Sequence, residues 1–118
     1  MKISEKVIND VLSFRDDRNW KQFHNPKDLA ISISLEAAEL LEVFQWSGKD
    51  VGIEGREERV SEELADVLMY SILMADACGL DAEKIMEKKL KTNIEKYPVS
   101  EAYGSSRKYS ELKKKGRK

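Results

Sequence analysis

Two acidic pairs, Glu36-x-x-Glu39 and Glu63-x-x-Asp66, are the residues of this 118-residue chain whose type and spacing could do chemistry. Successive residues of an α-helix turn by about 100°, so partners three apart lie about 60° apart and can aim two carboxylates the same way. In helical phase Leu29, Ile33, Ala37, Leu40, Val43 and Phe44 form one apolar stripe; Glu36 falls inside it, Glu39 on its edge, and Glu42 points away. Glu63, Asp66 and Tyr70 share one narrow arc that excludes Glu62 and Asp76. A carboxylate on a packing face is costly to bury unless it is paired or holds a metal. Four of them together would make a cage of oxygen ligands suited to Mg²⁺. A single Glu-x-x-Glu is ordinarily decoration on a solvated helix face. Two such pairs on successive helices, each interrupting an apolar stripe, bring the two readings level.

The elements that must carry these groups follow from phase and punctuation. Ser4 caps a first helix predicted to run to about Arg18, with Val7, Ile8, Val11, Leu12 and Phe14 as its apolar face and Arg15 to Arg18 as a solvated cluster at its end. The connection from Asn19 to Asn25 holds Trp20, Phe23 and the only histidine, His24. These residues could be a hydrophobic plug, or a wall for a flat ligand, since bases stack on aromatic rings for roughly 1–3 kcal/mol each. Asn25-Pro26 opens a second helix expected over 26–46, which brings Phe44 and Trp46 near the acids. Ser47 to Gly55, with three glycines, reads as a mobile loop.

A third helix is predicted from about Arg56 to Cys78. It is apolar nearly all round through Val67 to Ala75 and needs cover on every side, which in so small a domain means a subunit interface. Gly79 ends it, and Asp81 caps a fourth helix through Lys96, stopped by Pro98. On that helix Ala82, Ile85, Met86, Leu90 and Ile94 set the inward face, flanked by Lys89, Asn93 and Lys96. The lysines could snorkel along apolar neighbours or meet polyphosphate oxygens.

The formal charge of −1 hides an asymmetry: seven basic residues stand against Glu111 in a basic tail, 104–118, while residues 1–103 hold 14 basic and 21 acidic groups. The helical domain is therefore assigned to 1–103. An acidic body disfavours nucleic acid as a partner, because neutralising phosphates takes Lys and Arg. Cys78 is the only cysteine, so there is no internal disulfide framework; it is expected as a buried structural thiol in a reducing compartment. The first residues lack the apolar core of a signal peptide, and no apolar run approaches the ~20 residues of a membrane span. A cytoplasmic protein without membrane contact is expected.

Four blocks in order now resemble a known family: Trp20-Lys-Gln-Phe-His24, Glu36 to Trp46, Glu63-Leu-Ala-Asp-Val-Leu-Met-Tyr70 and Lys89-Leu-Lys-Thr-Asn93-Ile-Glu-Lys96. Together they look like the MazG-like all-α nucleoside triphosphate pyrophosphohydrolases, and within them the dCTP pyrophosphatase branch. The resemblance implies an all-α four-helix bundle assembled as a homodimer or homotetramer. It implies that Glu36, Glu39, Glu63 and Asp66 hold Mg²⁺ and are the catalytic residues, and that Lys89, Asn93 and Lys96 contact the triphosphate. Trp20, His24 and Trp46 would surround the base, with Tyr70 near the sugar. The implied reaction splits a (d)NTP, dCTP or a similar pyrimidine deoxynucleotide, into (d)NMP and pyrophosphate. Lys96 stands where the family often has arginine, and lysine gives up the bidentate fork. The alternative reading is a non-catalytic nucleotide-binding protein or a structural helical oligomer.

Overall fold

The computed structural model describes residues 1–106, so the basic residues from Arg107 to Lys118 lie outside the described part. The described residues form helices and no strand: α1 Glu5–Asp17, a 3₁₀ turn Lys21–Phe23, α2 Pro26–Glu42, α3 Glu57–Ala77, α4 Ala82–Lys96 and the short α5 Val99–Ala102. Among them no helix is long and apolar enough to cross a membrane. The chain divides into two units, Met1–Leu80 and a second that begins at Asp81, each described by itself.

The caps are those the sequence announces. Ser4 Oγ accepts the Val7 N–H at 3.3 Å, Asn25 Oδ1 the Asp28 N–H at 2.9 Å, and Asp81 Oδ1 the Lys84 N–H at 3.0 Å. Each satisfies an N–H that the first helical turn leaves without an intrahelical partner. Gly79, at φ +64, ends α3 in the left-handed region where glycine has no Cβ penalty.

In the first unit α2 packs along α3, and α1 lies against α3. The buried apolar residues are Leu29 of α2, 1 % exposed, Val43 at the end of that helix and Leu73 of α3. α2 is shorter than expected: it stops at Glu42, and Val43, Phe44 and Gln45 donate their N–H groups to carbonyls three residues back, so the chain tightens into turns. The following loop, expected to be mobile, is braced. Arg56 Nη1 donates to Asp50 Oδ2 at 3.0 Å and to the Gly52 carbonyl at 2.9 Å, and its guanidinium lies 5.6 Å from the centre of the Phe44 ring.

Two further expectations are corrected. Arg15, assigned to a solvated cluster, is 4 % exposed, the buried charged residue of the described chain. It follows Ile8 by seven and Val11 by four, which puts it on the apolar face of α1. Cys78 is exposed rather than buried, because it caps α3 beyond the last turn. In the single chain some apolar side chains stand exposed, Leu64 and Met69 on α3 and Ile85, Met86, Leu90 and Ile94 on α4.

Candidate active site

The packing of α2 on α3 brings acids from both helices together. Glu36, Glu39 and Glu63 each offer a carboxylate oxygen, and the three atoms lie within 4.8 Å of one another. Glu36 and Glu63 are half-buried and Glu39 is exposed, as the phase of the apolar stripe requires. Asp66, one helical turn beyond Glu63, stands outside that triad; its charge still acts on both Glu36 and Glu63.

Gathering like charges has a cost that shows in the proton affinities. Glu36 is pushed up from 4.5 to about 7, first by burial, then by a hydrogen bond with Glu39 and by the charges of Glu39, Asp66 and Glu63. Glu63 is raised as well, by burial, by its hydrogen bond with Glu39 and by the charges of Glu39 and Asp66; Arg59 opposes the shift. Glu36 Oε2 and Glu63 Oε2 are buried and have no hydrogen-bond partner. Buried polar atoms are normally satisfied, so two orphaned carboxylate oxygens in one acidic cluster fit a bound cation. Oxygen-only donors match a hard ion such as Mg²⁺.

Beside the acids, a cleft of about 430 Å³ opens between α1 and α3. Phe14, Arg15, Trp20 and His24 line one side, and Asp66 and Tyr70 the other. Asn19, at φ +55, turns the chain so that Trp20 returns against α1, its ring edge-on to Phe14 with centroids 5.7 Å apart. Arg18 covers the same Phe14 ring at 3.7 Å. His24 Nδ1, on the wall of this largely apolar cleft, is buried and has no hydrogen-bond partner.

Of the expected site residues, the first unit thus brings Glu36, Glu39 and Glu63 into one cluster, and Trp20, His24, Asp66 and Tyr70 around one cleft. Trp46 does not join them; it is 90 % exposed on the turns after α2. On α4, Lys89 and Asn93, four residues apart, line one shallow groove with Met86 and Leu90, and Lys96 is half-buried near the helix end. Sequence reasoning missed Arg15 as a cleft residue. Its phase on α1 was the available signal.

The MazG-like family profile matches residues 31–112, a span that contains both acidic pairs. The chain is 38% identical to human dCTP pyrophosphatase 1 over 104 residues, covering 84% of this chain and 61% of the human protein. The rat protein of the same name is 36% identical over the same shares, and the cattle protein 33% identical over 92% of this chain and 70% of its own length. A crystal structure of a pyrophosphatase from Archaeoglobus fulgidus superposes with a TM-score of 0.74 at 38% identity, covering 82% of this chain and 99% of that one. The chain spans about three fifths of the length of the human and rat relatives. With two thirds of its residues inside the family profile and its acids gathered on two packed helices, this chain belongs to the MazG-like family.

Proposed function

We propose that the chain is a Mg²⁺-dependent nucleoside triphosphate pyrophosphohydrolase that hydrolyses the α–β phosphoanhydride of a (d)NTP to give (d)NMP and pyrophosphate. The observation that carries this reading is the pair of orphaned oxygens, Glu36 Oε2 and Glu63 Oε2, in a three-carboxylate cluster beside an aromatic cleft. Relatives named dCTP pyrophosphatase support dCTP, or a similar pyrimidine deoxynucleotide, as the preferred substrate.

Glu36, Glu39, Glu63 and Asp66 hold the cation in this reading. Bound Mg²⁺ would polarise the phosphoryl oxygen, lower the pKa of water and offset the charge of the triphosphate. The carboxylates keep their protons off when the cation is present, and one of them accepts the proton of the attacking water. Trp20 supplies a ring face for the base, His24 Nδ1 a hydrogen-bonding atom at the base edge, and Tyr70 a contact to the sugar. Lys89, Asn93 and Lys96 are assigned to the triphosphate, where the two ammonium groups would counter charge building on the leaving pyrophosphate. Trp46 completes the base site from its exposed position in an assembled homodimer or homotetramer, and the exposed apolar side chains of α2, α3 and α4 support such an assembly. The cytoplasm, where nucleotides are made and used, is the proposed location.

A pyrophosphate-release screen over the eight common (d)NTPs, with and without Mg²⁺, tests the reading. Release that needs Mg²⁺ and is fastest with dCTP or another pyrimidine deoxynucleotide is expected. Equal rates on purines would remove the base preference. Nucleotide-induced thermal stabilisation without pyrophosphate would make the protein a binding module, and no response at all would make it a structural oligomer.

A further inference from the structure

We infer that Arg15 and Asp76 form a positioning clamp that holds the Trp20 and His24 wall of the cleft against α3 and so sets nucleotide affinity; the inference rests on the nucleotide reading of that cleft. Arg15 Nη1 donates to Asp76 Oδ2 at 2.6 Å, which ties the last turn of α1 to the last turns of α3. Arg15 Nε donates to Asp16 Oδ1 at 2.9 Å, so two bonds fix the plane of a guanidinium that is almost fully buried. The backbone of the same residue carries the wall. The Arg15 carbonyl accepts the N–H of Arg18 at 3.3 Å and of Trp20 at 3.0 Å. From there the 3₁₀ turn hands the geometry on, with the Phe23 N–H on the Trp20 carbonyl at 2.9 Å and the His24 N–H on the Lys21 carbonyl at 3.1 Å.

The side chain of Arg15 is thus bolted to α3 while its carbonyl supports Trp20. Asp66 and Tyr70 face Trp20 and His24 from α3, so the clamp fixes the spacing of the two cleft walls. Asp76 lies ten residues beyond Asp66, about 15 Å along the helix. It lines neither the cleft nor the acid cluster. Loss of the clamp should loosen binding while leaving the phosphate chemistry in place, because a stacked base is sensitive to the position of its wall and the acids are held by the α2 and α3 contact instead.

Steady-state kinetics of Asp76→Ala and Asp76→Glu test the clamp. Asp76→Ala is expected to raise KM for the preferred nucleotide about tenfold with kcat within about twofold of wild type. Asp76→Glu, which keeps the carboxylate, should bring KM back to within about threefold. A lower melting temperature with unchanged KM would make the pair a stability brace only and overturn the clamp. A fall in kcat at unchanged KM would overturn it too. If Asp76→Ala does not fold, Asp76→Asn gives the same KM readout, since it keeps the side chain's shape and loses the charge that holds the guanidinium. Should wild type turn over no nucleotide, the proposed function fails and the clamp is judged optically. With Trp46→Phe leaving Trp20 as the sole indole, Asp76→Ala should shift its emission to the red and increase acrylamide quenching. An unchanged Trp20 spectrum would overturn the clamp.

Discussion

Glu36 on α2 and Glu63 on α3 each bury a carboxylate oxygen that no protein donor reaches, in a cluster whose acid oxygens lie within 4.8 Å of one another. Two helices that pack through apolar stripes have been made to meet at their charged interruptions. Such an arrangement is unfavourable until a proton or a cation enters it. It therefore predicts a stability that depends on pH and on metal together.

The sign of the pH dependence follows from Glu36, held at about 7 against an ordinary 4.5. Between those values the folded protein keeps a proton that the unfolded chain has released. The contribution of Glu36 to stability is thus fully present below about 4.5 and is lost as pH rises through about 7. In EDTA, Glu36→Gln should melt higher than wild type by a margin that grows from pH 5 to pH 8. Mg²⁺ should raise the wild-type melting temperature more at pH 8 than at pH 5, because cation and proton compete for the same oxygens. Differential scanning calorimetry at the two pH values, with and without Mg²⁺, measures both differences.

Removing one acid of the cage while keeping its shape separates chemistry from folding. Glu39→Gln and Asp66→Asn are each expected to lower Mg²⁺-dependent pyrophosphate release by roughly 100-fold or more, the scale of losing a group that stabilises the transition state. Both should keep the helical circular dichroism of wild type. Glu42→Gln, exposed and facing away from the cluster, should stay within about twofold. Wild-type turnover in both Glu39→Gln and Asp66→Asn would remove the cage from the mechanism.

The cluster was legible in the sequence because helical phase is a local property. Glu36 sits inside the stripe of Leu29, Ile33, Leu40 and Val43, and it needed only two packed helices to meet Glu63. The caps at Ser4, Asn25 and Asp81 were legible for the same reason, since each bonds a backbone N–H three residues on. The pairing of Arg15 with Asp76 was not, because it joins residues 61 apart and depends on how α1 is laid on α3. Flanked by Asp16, Asp17 and Arg18, Arg15 read as one more solvated charge. The early end of α2 was also hidden: nothing in Val43-Phe44-Gln45 forbids a helix, and the chain leaves it through tightened turns toward Gly48 at φ +60.

The uncovered apolar side chains make a prediction about assembly. Ile31, Leu35 and Leu41 on α2 and Leu64 on α3 are exposed in the single chain, Leu41 by 70 %. Covering a leucine is worth about 1.5–3 kcal/mol, so a set of this size favours association. Size-exclusion chromatography with light scattering should give at least twice the 13.6 kDa chain mass. Leu41→Asp should shift the population toward monomer, and pyrophosphate release should fall with it if Trp46 serves a neighbouring copy. A monomeric wild type with full activity would sink the assembled site.

Asn19 gives a prediction that isolates backbone geometry from side-chain chemistry. At φ +55 it occupies the left-handed region, which asparagine tolerates and a β-branched residue does not. The turn it makes returns the Trp20 N–H to the Arg15 carbonyl and sets Trp20 edge-on to Phe14. Asn19→Val should therefore cost about 1–2 kcal/mol in urea denaturation. Asn19→Gly, free to adopt the same φ, should stay close to wild type and keep the Trp20 emission. A loss in the valine variant alone assigns the effect to the backbone conformation. Equal losses in both would assign it to the amide side chain, and the turn would then owe its shape to a contact rather than to φ.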